Sequence, residues 1–441
     1  MEIAKRSMAS LAKCRDLKSL PLLVIGLLVS VLLVLNGVLF PTYTVSMASP
    51  AWEAARQLGL PYVISEIGVI IYALRGGLHL CEVWKRFPRN VQYCAILFLA
   101  SFWVGSAFYS KVTPLAIVQN IVFLIHPLFG IAVYYSASRA DARGLRALTL
   151  ALVGGLLIFC GMTASAFLNH PPLATMPDNT IVWQFIIPGF ISVRLFGAFC
   201  GAIFCFLLAQ FLLDEERGGR RHLPYLWLTL CAAMTIWSGT RNAVLGIVVA
   251  MTVTLILYRL HPMKAKSVFL LALSALVATL SATSLIPYND PAFMLIAGED
   301  VATSESISGG RASYWFALWH AYQTVPAFGA GPFASFWILP AGEQIHVQPH
   351  NIVLQFLLTW GLPATVAALA LLAYATWRAH LAALEHRDVL PFVAMLDCLL
   401  AMSFFDGMFH FAQPLMLIMI SFGVIFGATK LQDKPLAALG N

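Results

Sequence analysis

Apolar runs long enough to span roughly 30 Å of hydrocarbon recur along the whole chain. Short polar segments separate them. The pattern predicts an all-α, polytopic integral membrane protein with about twelve transmembrane helices. They fall near residues 20–39, 61–73, 91–108, 114–137, 147–168, 190–213, 223–239, 243–258, 267–286, 351–376, 389–405 and 414–427. The second is the shortest and carries Glu66. Three regions follow: nine spans within residues 1–286, a polar loop at 287–348, and three closing spans within 349–441.

Composition agrees with the pattern: 60% of the 441 residues are hydrophobic and 11% are charged. Soluble chains carry about a quarter charged residues. The formal charge of +7 is a signal of topology; nucleic acid as a partner would need a clustered basic face, and none is present. With the N-terminus inside, 22 of the 27 Lys and Arg residues fall in cytoplasmic segments, so both termini are expected in the cytoplasm. The first apolar stretch is too long for a signal-peptide core and reads as a retained anchor. None of the eight cysteines lies in the long loop, so no disulfide framework is expected. Gly197-Ala-Phe-Cys-Gly201 reads as a helix-packing GxxxG.

The five cations left outside are Arg56, Lys111, Arg194, Arg241 and Arg311. Arg194 sits near the outer end of the sixth span, snorkelling to the interface or facing a watery cavity. Arg241 occupies a turn of a few residues, W-S-G-T-R-N, where a new helix begins. Backbone N–H groups at a helix start and a guanidinium both favour an anion there. The loop holding Arg311 runs from Pro287 to Gln348, 62 residues, and its second half reads as structured. Arg311 heads an amphipathic helix, A-S-Y-W-F-A-L-W-H-A-Y, in which Tyr314 stands beside Trp315, and Trp315, Trp319 and Tyr322 follow helical spacing. That aromatic stripe suits either an interface belt or a lid over a cavity. Phe328–Pro332, F-G-A-G-P, reads as a flexible connection, and no period is visible from Phe333 to Gln348.

His346 and His350 stand four apart, but Pro349 between them disfavours a helix and H-V-Q-P-H lacks the Glu of a zinc helix. No metal and no cofactor is expected. His350, followed by Asn351, reads as the first turn of the tenth span, where a neutral imidazole is a competent general base; a structural histidine is the alternative. Asp406 and His410 share the outer end of the eleventh span, and Asp406 is a candidate to orient His350. Glu66 and Asp397, placed near mid-membrane, are functional suspects by default.

These residues carry a resemblance. S-G-T-R at a tight outer turn, then G-G-R-A-S-Y-W with F-G-A-G-P soon after, then P-H-N-I-V-L-Q-F-L-L-T-W-G-L-P, resemble the O-antigen ligase / O-antigen polymerase superfamily. The resemblance implies a GT-C-like fold in the bacterial inner membrane, with a large periplasmic loop between helices 9 and 10. It implies transfer of a glycan from undecaprenyl diphosphate to lipid A–core, to another lipid-linked glycan or to a protein. It puts phosphate-binding arginines at Arg241 and Arg311, with Arg194 as a helper, and a catalytic histidine at His350. One departure is Thr359, where the family often has Glu.

The expected reaction is a metal-independent, inverting transfer with His350 as base and arginine clamps on the diphosphate; a ligase acting on lipid A–core is the first reading. A polymerase or protein O-oligosaccharyltransferase shares the chemistry. A secondary transporter or flippase is the reading from another class; it should show related halves with paired broken helices, and the sequence shows neither.

Overall fold

The computed structural model describes residues 20–39, 59–140, 142–168, 193–217, 223–259, 265–284, 311–340 and 348–429. Within them the chain is helical, with no strand. The long helices are α1 (Leu20–Leu39), α2 (Leu60–Arg75), α4 (Arg89–Val104), α5 (Thr113–Ala137), α6 (Ala142–Leu168), α7 (Val193–Glu216), α8 (Leu223–Trp237), α9 (Arg241–Tyr258) and α10 (Ala265–Ser284), then α13 (Ile352–Glu385), α14 (Leu390–Ser403) and α15 (Ala412–Thr429). Shorter ones are α3 (Leu80–Arg86), α11 (Arg311–Tyr322) and α12 (Ala334–Trp337). Each apolar stretch predicted from the sequence overlaps one of the long helices within the described residues. Among the described residues, eight helices are long and apolar enough to cross a membrane, or nine if α2 and α3, bent by 88°, count as one span. The chain is therefore a polytopic helical membrane protein.

Helices α7, α14 and α15 are largely apolar and buried on nearly all sides, and form the centre of the bundle. α7 packs on α8, α9 and α14. The GxxxG reading is sound: a Cβ on Gly197 would lie 2.1 Å from Ser238 Oγ and 2.2 Å from Thr240 Oγ1. That close approach sets the turn before α9 directly on α7. On α6, α9 and α10, Leu, Val, Ile and Phe side chains point outward, the arrangement expected of a lipid-facing surface.

The sequence reading misses the break in α13. Gly361 there has φ 78° and ψ 178°, a region open essentially to glycine alone. Pro363 cannot donate to Thr359 O, and the break also frees Leu358 O and the Leu362 N–H. Phe328–Pro332, expected to be a flexible connection, instead belongs largely to a strap, residues 327–331, docked into this gap. Ala330 N donates to Leu358 O at 2.8 Å, Gly331 N to Thr359 O at 3.0 Å, and Leu362 N to Ala327 O at 3.0 Å. An apolar surrounding forces such pairing, since each unsatisfied backbone group costs several kcal/mol. The strap also lies against a π turn, Gly105–Tyr109, that ends α4; a Cβ on Gly105 would sit 2.0 Å from Phe328 O. Asn120 steadies this turn by donating to Phe102 O at 3.1 Å and Ser106 Oγ at 2.7 Å, and accepts from Trp360 Nε1 at 3.2 Å. Trp360 anchors the aromatic cluster of Phe98, Phe102, Phe123 and Phe356.

The mid-membrane carboxylates both have partners. Glu66 on α2 pairs with His126 on α5 at 2.7 Å, and Asp397 on α14 with His380 on α13 at 3.2 Å. Besides the break in α13, the described residues hold one bent pair, α2 and α3.

Gly361→Ala is expected to lower thermal stability in detergent severely, because its Cβ would meet Ala327 O at 2.0 Å in a conformation alanine avoids. Gly68→Ala, with open space around it, should be neutral or slightly stabilising. Equal melting temperatures for the two variants would contradict the docked strap.

Candidate functional site

The site begins with four residues, Gln348-Pro-His-Asn351, that lead into α13. His350 is not in the first helical turn, as the sequence suggests; it precedes the cap, with φ 53°. A non-glycine residue is uncommon there and is held by its surroundings. Trp315 Nε1 donates to Pro349 O at 2.6 Å, and His350 N donates to Gln348 Oε1 at 3.1 Å. Asn351 is the N-cap, its Oδ1 accepting from Val353 N at 2.9 Å and Leu354 N at 3.1 Å. Its Nδ2 donates to Phe404 O at 3.0 Å, which ties the start of α13 to the end of α14.

After α14 ends at Ser403, two residues earlier than expected, residues 404–411 form a non-helical link to α15. Asp406 sits in this link and is buried, so it and His410 are not on a helix together. Its Oδ1 lies 2.8 Å from His350 Nδ1 and accepts from Gly407 N at 2.8 Å. Its Oδ2 accepts from Asn242 Nδ2 at 3.1 Å and lies 3.5 Å from Arg311 Nη2. Against a carboxylate, His350 Nδ1 must carry the proton, which leaves Nε2 as the acceptor. The imidazole side chain keeps 18% exposure, against 4% for the carboxylate. The ring is thus reachable from outside while its orienting partner is not.

Arg311 is the first residue of α11. Besides its contact with Asp406 it donates through Nη1 to Phe405 O. A guanidinium has five donors in a planar fork, so these two contacts leave others for an anion. Arg241 opens α9, immediately before Asn242, so both lie at the end of the bundle that holds Asp406. Arg194, expected to snorkel or to face a watery cavity, reaches the turn before α9. Its Nη1 donates to Gly239 O and, at 3.4 Å, to Ser238 O, which clamps the turn that launches α9. Tyr314 turns the other way, into a small core with Leu318, Ala330, Ala334, Leu339 and Leu358. That core holds α11 against the strap, and burial pushes the Tyr314 hydroxyl up to about 12. Trp315, by contrast, stands between Pro349 and Phe405.

The structure therefore brings His350, Asp406, Arg311, Asn351 and Trp315 together and seats Arg241 beside them. Sequence reasoning missed Asn242, Gln348 and Gly407. The neighbour relation of Asn242 to Arg241 was a usable signal; the other two offered none. His346, the other half of the rejected zinc pair, lies outside the described residues.

Two groups give this end of the bundle an acid limit. Burial works to raise the Asp406 carboxyl, but the hydrogen bond and charge of His350, the charge of Arg311 and the Gly407 N–H hold it well below the usual carboxylate range. Burial, with the charge of His350 behind it, pushes the His410 imidazole from 6.5 down to about 3. Its Nε2 is closed off from solvent with no hydrogen-bond partner among the described residues. Both folded values lie below the unfolded ones, so the unfolded state takes up more protons as pH falls. For His410 stability is full above 6.5 and declines toward about 3; for Asp406 the decline starts only below 3.8. Melting temperature in detergent should thus fall between about pH 6.5 and 4, and His410→Phe should flatten that slope. An unchanged slope in His410→Phe would contradict the assignment.

No curated protein matches the chain. A family model does: residues 226–369, about a third of the chain, match the family described as O-antigen ligase. The matched segment contains Arg241, Arg311 and His350, and stops before Asp406. This match supports the resemblance to the O-antigen ligase / O-antigen polymerase superfamily.

Proposed function

We propose that the protein is a bacterial inner-membrane glycosyltransferase that moves a glycan from undecaprenyl diphosphate to a hydroxyl of lipid A–core, the ligase reaction, on the periplasmic face. The observation that carries this reading is the contact of His350 with a buried Asp406 that also touches Arg311. A base with a fixed tautomer stands beside a cation that can receive a phosphate. Twelve spans with both termini in the cytoplasm, as the Lys and Arg distribution requires, put this end of the bundle in the periplasm.

A sugar joined to diphosphate is already activated, so the protein must orient the two substrates, stabilise the leaving group and remove one proton. His350 Nε2 takes the proton of the acceptor hydroxyl. The oxygen attacks the anomeric carbon from the face opposite the diphosphate. As the new C–O bond forms, the bond to the diphosphate oxygen breaks and its electron pair leaves with undecaprenyl diphosphate, inverting the centre. Arg311 and Arg241 meet the charge that develops on that oxygen, with the N–H groups at the start of α9 adding to it. Arg194 acts at one remove, by fixing the turn that carries Arg241. No metal ion is required in this scheme, because guanidinium groups supply the positive charge.

Deleting the gene in its host should leave core-only lipopolysaccharide on a gel while full-length lipid-linked glycan accumulates. Wild type should restore the ladder and His350→Ala should not, although it inserts normally. A core carrying a single repeat would mean a polymerase; an unchanged ladder would contradict both and point to protein glycosylation or transport. With purified protein, His350→Ala should lose about 10²–10⁴ in rate. A chelator should leave wild-type transfer intact, and its abolition by EDTA would contradict the guanidinium scheme.

A further inference from the structure

A base fixed only by a hydrogen bond in the plane of its ring can still rock about that bond. Asp406 supplies the in-plane contact, at Nδ1. Gln348 supplies something different. Its Nε2 lies 3.0 Å from His350 Nδ1 and 3.5 Å from His350 Nε2. An in-plane approach to Nδ1 would leave the far nitrogen much more distant, and an approach in plane between the two would collide with the carbon that joins them. The amide is therefore over the face of the imidazole. Nδ1 already gives its proton to Asp406, so this is an amide resting on a ring, a weak N–H···π contact. The same side chain accepts the His350 backbone N–H through Oε1 at 3.1 Å, bracing the left-handed conformation as well as the ring.

The space that Gln348 occupies is made by a glycine. A Cβ on Gly407 would stand 2.4 Å from Gln348 Oε1 and 2.6 Å from both Cδ and Nε2. All three are atoms of the far end of a flexible side chain, so a methyl group there would move the amide and leave the backbone in place. A cavity lined by Gln348, Pro349, Gln355, Thr359 and His410 gives the displaced side chain room. Gly407 also donates its N–H to Asp406. One residue thus holds the carboxylate and leaves space for the amide.

We propose that Gln348 is a positioning residue for the transfer reaction: it clamps the face of the His350 ring while Asp406 clamps its edge, and Gly407 is free of a side chain to admit it. This rests on His350 being the base. The two clamps restrict the ring about different axes, so losing the amide leaves the tautomer correct but the aim of Nε2 loose. Misplacement on the order of 1 Å costs a catalytic group about 100-fold.

The test uses the full-length protein in detergent with an undecaprenyl-diphosphate-linked glycan and lipid A–core as probes. Gln348→Met, of similar length and without the amide, should lower kcat by about 10- to 100-fold while the KM for the donor stays within about threefold. Gly407→Ala should have the same effect by displacing the amide. Gln348→Ala combined with Gly407→Ala should be no slower than Gln348→Ala alone, since the clash has gone. Nitrogen-15 NMR of labelled histidine, which needs no turnover, should show the His350 resonances shifted in both single variants. If Gln348→Met misfolds, Gly407→Ala carries the test. Wild-type kcat in Gln348→Met or in a folded Gly407→Ala, with His350→Ala inactive, would overturn the clamp and spare the base. Full activity in His350→Ala would overturn the base, and the NMR shifts would then still report whether the amide touches the ring.

Discussion

A buried carboxylate organises the outer end of this bundle. Asp406 takes contacts from His350, Asn242, Arg311 and its own neighbour Gly407. These donors come from four places: the entry to α13, the start of α9, the head of α11 and the link between α14 and α15. A carboxylate taken from water without partners costs far more than any one hydrogen bond returns. The four elements are therefore bound to one another through a group none of them can abandon. Removing a partner leaves charge uncompensated in a dry place, which is why such clusters are costly to alter. The charge that holds the fold together here is also the charge that fixes the tautomer of His350. In the proposed mechanism, stability and chemistry rest on the same atom pair.

The second constraint is backbone pairing in an apolar medium. α13 is broken where Gly361 turns out of helical geometry, and the strap at 327–331 answers the freed carbonyls and N–H. Gly329 lies so close to the break that a Cβ would stand 2.6 Å from Gly361 N. The strap follows α11, whose first residue is Arg311. The small core around Tyr314 and Leu318 joins strap, α11 and α13 into one unit. Hence the break, which lies about three turns along the chain from His350, helps to fix where Arg311 stands. Long side chains on a mobile loop would not hold a guanidinium beside a base; a loop stitched to a helix does.

The sequence made the helices legible because hydrocarbon thickness dictates their length and composition. Helix ends were legible where a Pro, Asn or Gly marks them, as at Pro349–Asn351. Scarcity made the arginines visible: Arg311 and Arg241 stand out among the few cations on the outer side. Arg194 shared that signal and binds the carbonyl oxygens of Ser238 and Gly239, since a guanidinium suits carbonyl oxygens as well as phosphate. The break in α13 stayed hidden inside an unbroken apolar run that contains Gly361. F-G-A-G-P read as flexible because glycine permits flexibility; the structure uses its glycines for close approach. Gln348 and Gly407 were invisible, since a glutamine on the face of a ring leaves no periodicity or charge pattern.

The most direct measurement is the rate of glycan transfer from undecaprenyl diphosphate by purified Asp406→Asn protein, compared with wild type. The asparagine keeps the shape of the carboxylate but removes its charge, so His350 is free to adopt the wrong tautomer and Arg311 loses its partner. A folded protein with kcat reduced by about 10²–10⁴ is the expected result. Wild-type kcat in folded Asp406→Asn would show that the carboxylate does not organise the site, and would contradict this account at its centre.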